Sequence, residues 1–169
     1  MTYLCVLIIF VFFAGLAMTV NEGLWSNSIS VMLIMLSGVL AILLGPPLGL
    51  MGQDKLAKGP EFTWYFTFAG VWLVFFVTMM ILRVLADRLS RVRMRFVPPL
   101  EMVAGPLMGL LVGTMFASFL TFTLATHPVK AGEWKLEAGT WQETLMTKGS
   151  TPFYSVLHSM TGKEFAEVQ

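Results

Sequence analysis

The sequence of 169 residues contains one cysteine, Cys5, and two histidines, and only 12% of its residues are charged. A soluble domain usually carries about a quarter. A single cysteine excludes an intrachain disulfide and a thiolate-built metal centre. The scarcity of charge argues against a water-soluble globule. Lysine and arginine number 11 against 10 acidic residues, a net charge of +1, so nothing draws the whole chain to nucleic acid. Phosphate loops, zinc spacings, a Gly-x-Ser-x-Gly elbow and internal repeats are all missing. His158 has neither an acidic residue nor a cysteine at triad or metal-ligand spacing, which makes it a solvated or capping histidine. The expectation is a protein with no catalytic residues, no metal and no cofactor.

Hydrophobic residues make up 56% of the chain. Four stretches carry no acidic or basic residue: Thr2 to Val20, Ser28 to Met51, Phe62 to Leu82 and Met102 to Thr126, of 19, 24, 21 and 25 residues. A bilayer core of about 30 Å takes roughly 20 residues in helical form, so each stretch is long enough to span it. The predicted fold is all-α: a polytopic bundle of four transmembrane helices over residues 1–127, with spans at about 2–20, 28–51, 62–82 and 102–126. A polar C-terminal tail, 128–169, follows. The link from Asn21 to Asn27 is short enough for a tight antiparallel hairpin.

All five arginines, Arg83, Arg88, Arg91, Arg93 and Arg95, fall within one short segment. Short basic links stay on the cytoplasmic side, which places both termini outside. No basic residue precedes the first span, so it reads as a retained helix rather than a cleaved signal. Past Arg83 the third helix continues as an amphipathic cytoplasmic segment: Leu85, Leu89, Val92 and Phe96 lie on one side, Arg88, Arg91 and Arg95 on another. These arginines set topology, can bind anionic lipid headgroups, and can pair with Asp87 and Glu101.

Gly105, Gly109 and Gly113 recur every four residues and form a small-residue face on the fourth span. Packing within the chain is the plainer use of such a face; an oligomer seam or pore is the other. Gly45, Pro46, Pro47 and Gly49 predict that the second helix ends and turns at the interface. No ionisable residue lies inside a span, which argues against a proton relay. In the tail, Thr151 as N-cap, Pro152 as first residue and Gly162 as stop predict a short helix. Its apolar face, Phe153, Val156, Leu157 and Met160, rests on the outer membrane face or docks to a partner.

Glu22-Gly23-Leu24-Trp25-Ser26 after the first span, the segment from Arg83 through Asp87 to Arg95, and Glu101 four positions before the stripe resemble the bacterial colicin V production protein family over roughly residues 1–127. The chain departs from the family in lacking an acidic residue early in the first span and a basic one in the following turn. The resemblance implies a bacterial inner-membrane protein linked to toxin production or export and to envelope maintenance. It brings no catalytic residues. Membrane lipids, a second copy of the chain or a larger membrane complex are the expected partners. A channel or transport component, and an accessory subunit docked through the tail helix, are the alternatives to a scaffold.

Overall fold

The computed structural model describes residues 2–19, 22–56, 59, 62–89, 98–126 and 140–161, and these form helices without a strand. In chain order they are α1 (Thr2–Thr19), α2 (Leu24–Lys55), α3 (Thr63–Leu89), α4 (Pro98–Thr126) and α5 (Trp141–Thr161). α1 and α3 are rich in β-branched and aromatic residues, which are middling helix formers in water. In hydrocarbon the helix is the form that satisfies every peptide group within its own segment, and that outweighs propensity. α2, α3 and Glu101–Thr126 of α4 are long and apolar enough to cross a membrane. The apolar part of α1, Cys5–Ala17, is shorter.

The turn after α1 is tight, with the Glu22 N–H donating to the Thr19 carbonyl at 3.0 Å. The two helices it joins do not lie side by side as a simple hairpin. α4 sits between them, antiparallel to α1 and parallel to α2: Gly15 faces Gly113, Asn27 reaches Gly105, and Gly38 faces Phe119. α3 returns antiparallel along α2. Gly45 and Gly49 of α2 meet Gly70 of α3 so closely that a Cβ at position 70 would fall on the Gly45 carbonyl oxygen and 2.8 Å from the Gly49 nitrogen. This contact corrects the expectation that α2 stops at Pro46 and Pro47, which lie inside the helix. The prolines remove two main-chain donors. The flanking glycines hold the segment against α3, so the helix continues to Lys55.

The core where α2, α3 and α4 meet is aromatic. Phe75 and Phe119 stack with centroids 4.4 Å apart, and Trp72 lies 5.7 Å and 5.4 Å from them. α5 begins at Trp141, preceded by Thr140, whose hydroxyl accepts the Glu143 N–H at 3.4 Å, and not at Thr151. Pro152 is therefore interior. The N–H that follows it, on Phe153, donates to the Ser118 hydroxyl of α4 at 2.9 Å.

Candidate functional site

Polar side chains gather at one end of the bundle, where α1 ends, α2 begins, α3 ends and α4 begins. Glu22, Ser26 and Ser30 recur every four residues and so share one face at the start of α2. Arg83 comes down on that face from α3. One guanidinium nitrogen donates to Ser30 Oγ at 2.7 Å; the other donates to Ser26 Oγ at 3.0 Å and pairs with Glu22 at 3.3 Å. Ser26 in turn donates to Glu22 Oε2 at 2.7 Å. On its own helix Arg83 Nε lies 3.5 Å from Asp87. Both side chains of the Glu22 pair are about one-third exposed, so the ion pair itself contributes at most about 1 kcal/mol. The fork geometry of the arginine adds a polar tie between α3 and α2 to their close glycine contact.

Beneath this pair, Asn27 is fully buried. Its Nδ2 donates to the carbonyls of Thr19 at 3.0 Å, Glu22 at 3.2 Å and Gly105 at 3.1 Å, joining α1, the turn and α4. Its Oδ1 is buried without a hydrogen-bond partner. Thr19 adds a second link, its hydroxyl lying 2.8 Å from the Gly15 carbonyl and 3.3 Å from that of Gly109. Glu101 folds over Gly23, where a Cβ would come 2.6 Å from Oε1.

Among the arginines singled out in the sequence, Arg83 belongs to this cluster and Arg88 is exposed in the last turn of α3. Arg91, Arg93 and Arg95, with Val92 and Phe96, lie outside the described residues. The expected pairing of the basic segment with Asp87 is present in Arg83, which takes Glu22 as well. Asn27 and Ser30 were not singled out, and Ser26 entered only as the end of the Glu22–Ser26 motif. The signal for the two serines was their four-residue recurrence with Glu22 at the mouth of an apolar helix.

The stripe of Gly105, Gly109 and Gly113 faces α1 and its turn. A Cβ at 113 would lie 3.2 Å from the Phe12 carbonyl, one at 109 would lie 3.2 Å from Thr19 Oγ1, and one at 105 only 3.6 Å from the Glu22 carbonyl. At the opposite half of α4, the tail helix lies on the bundle itself rather than on an outer surface. Phe153 is fully buried, with its ring 5.1 Å from Phe119 and 5.5 Å from Phe122 and its edge in the notch left by Gly38. Leu157 is buried and Val156 packs on the same core, whereas Met160 is 57% exposed. Gly162, the expected stop, lies outside the described residues.

Compared with known proteins, residues 4–149 match the family model described as Colicin V production protein. No curated protein and no solved structure matches the chain.

Proposed function

The chain belongs to the colicin V production protein family, and we propose on that premise that it is a multi-pass scaffold of the bacterial inner membrane that catalyses no reaction and serves toxin production or export, or envelope maintenance. The observation that carries the reading is how the polar side chains at the Arg83 end are used. Arg83, Glu22, Ser26, Ser30 and Asn27 are engaged with one another or with main-chain carbonyls of neighbouring helices, as in a joint that fixes helix positions. Such groups hold membrane helices together where lipid gives no hydrophobic drive for association.

Four spans follow from this reading. The 18 residues of α1 extend about 27 Å at 1.5 Å each, close to the thickness of the hydrocarbon core. The Arg83 end, with Arg88 exposed beside it and three more arginines in the next link, is the cytoplasmic end; the N-terminus and α5 are then on the periplasmic side. Arg88 and the link meet anionic headgroups. Self-association uses a face other than the glycine stripe, because α1 fills that groove.

The test has two parts, both in intact cells. Single cysteines at Arg91 and at Lys148, in a Cys5→Ser background, are exposed to a membrane-impermeant maleimide; labelling at 148 alone is expected, and labelling at 91 alone overturns the orientation. Cells that release colicin V are then deleted for this chain and complemented. Release restored by the wild type and not by Arg83→Ala supports the scaffold, and release indifferent to deletion overturns the role in export.

A further inference from the structure

A crevice of about 300 Å³ opens between α1, α4 and α5, away from the polar cluster. That is the lower end of the range for small-molecule sites. Its walls are Ile8, Phe12 and Phe13 of α1, Thr114, Ala117 and Thr121 of α4, and Leu145 and Pro152 of α5. The hydroxyls in these walls are already engaged: Thr114 with the Leu110 carbonyl at 2.8 Å, Thr121 with Ala117 at 2.7 Å, and Ser118 with the Phe153 N–H. The wall thus offers an occupant hydrocarbon and little else. Ile9 and Phe13 are 44% and 59% exposed, so the crevice opens sideways, in the direction of lipid.

One charge stands at this crevice. Lys148 lines it beside Gly149 and Thr121, is exposed, and has no ion-pair partner among the described residues. The opposite end of the crevice, at Thr114, is seven residues back along α4 from Thr121, about 10 Å toward the bilayer midplane. A cation at the outer end and an apolar trough running inward is the order of groups in a phospholipid, headgroup first and acyl chain below. A long lysine stem lets the ammonium reach the headgroup level while its methylenes stay on the apolar wall.

We propose that this crevice is a binding site for one anionic phospholipid, with an acyl chain along α1 and α4 and the phosphate on Lys148. The site is separate from the arginine segment at the other end of the bundle, and it rests on the reading that α1 lies in the bilayer.

The full chain is purified in mixed vesicles of phosphatidylcholine and phosphatidylglycerol, and the lipid retained per protein is read by native mass spectrometry. One cation near a membrane surface contributes about 1 kcal/mol, so about five-fold enrichment of phosphatidylglycerol over its share in the vesicle is expected. Lys148→Gln should abolish the enrichment and Lys148→Arg keep it. Ile9→Trp, at the exposed mouth, should lower retention of both lipids. Wild type without enrichment, or equal enrichment in Lys148→Gln, overturns the site, as does full retention in Ile9→Trp. A cysteine at Phe10 that resists a water-soluble maleimide in the same preparation establishes α1 in the bilayer independently, so a missing preference there counts against the site alone.

Discussion

Replacing Gly70 by alanine should destabilise this protein far more than the same change anywhere on the Gly105 stripe. A methyl at 70 would fall on the Gly45 carbonyl oxygen, 2.8 Å from the Gly49 nitrogen and 3.0 Å from its Cα, all of them backbone atoms of α2. No side chain can swing aside, so the two helices must separate by about half an ångström to an ångström. A gap of that size forfeits a quarter to a half of each van der Waals contact along the seam. Overpacking alone costs about 1 to 3 kcal/mol, and the seam's length puts Gly70→Ala at the upper end, about 3 kcal/mol. Gly113→Ala meets the Phe12 carbonyl at 3.2 Å and should cost about 1 kcal/mol. Gly105→Ala meets nothing nearer than 3.6 Å, and Gly52→Ala only a ring atom at 3.7 Å. Both should be neutral or gain up to about 1 kcal/mol from the entropy that glycine loses in a helix. Reversible unfolding in mixed micelles, followed by the fluorescence of the five tryptophans, ranks the four variants. Gly70→Ala within about 0.5 kcal/mol of wild type, or Gly105→Ala costing as much as Gly70→Ala, refutes the close-approach argument, since surface-like changes stay within that range.

The same assay tests the polar joint. Asn27→Asp replaces the donating nitrogen with an oxygen facing three carbonyls and should cost about 3 kcal/mol, the loss of the amide's two N–H donors, which those three carbonyls share, plus the burial of an unmatched acceptor. Asn27→Leu loses the same bonds but also removes the partnerless Oδ1, so it should cost only about 1 kcal/mol; equal losses for the two variants would remove the donor argument. Arg83→Lys should keep the charge yet lose the fork to Ser30, Ser26 and Glu22, and a stability equal to wild type contradicts the geometry given to the guanidinium. Phe153→Ala should weaken docking of α5 by about 3 to 5 kcal/mol, exposing residues 141–161 to limited proteolysis while the α2–α3 seam stays protected from hydrogen exchange. Met160→Ala, on the exposed side, should leave the cleavage pattern unchanged.

The apolar spans were legible because a bilayer imposes one length on every crossing segment, and their edges at Met51, Leu82 and Thr126 fall near or inside the observed helix ends. What escaped sequence reading is non-local. Thr151 and Pro152 carry the local marks of a helix start, but those marks do not reveal that Ser118, on another helix, accepts the N–H of Phe153. The marks at Thr140 were as good, a hydroxyl three residues before Glu143, and lay within a stretch taken as polar tail. Gly45 and Gly49 were read by their neighbours Pro46 and Pro47, as a break. Their use depends on the register of α3, which places Gly70 opposite them. The face made by Gly105, Gly109 and Gly113 was legible as a face; the helix that fills it was not, because a gap between glycines fits any backbone.

α4 is the element on which these separate devices converge. At its first half, glycines admit α1 and the turn, and Asn27 and Thr19 hydrogen-bond to the carbonyls of Gly105 and Gly109. At its second half, Phe119 and Phe122 take the ring of Phe153, and Ser118 takes its N–H. Gly105 and Phe119 are 14 residues apart, about 21 Å along the helix, so the two attachments share no side chain. Hydrocarbon around the bundle gives no reward for burying apolar faces, and that explains why both attachments combine close contact with a hydrogen bond. It also separates their roles. The joint at Asn27 and Arg83 links the chain's first four helices, whereas α5 is held through Phe153 and Ser118 on α4.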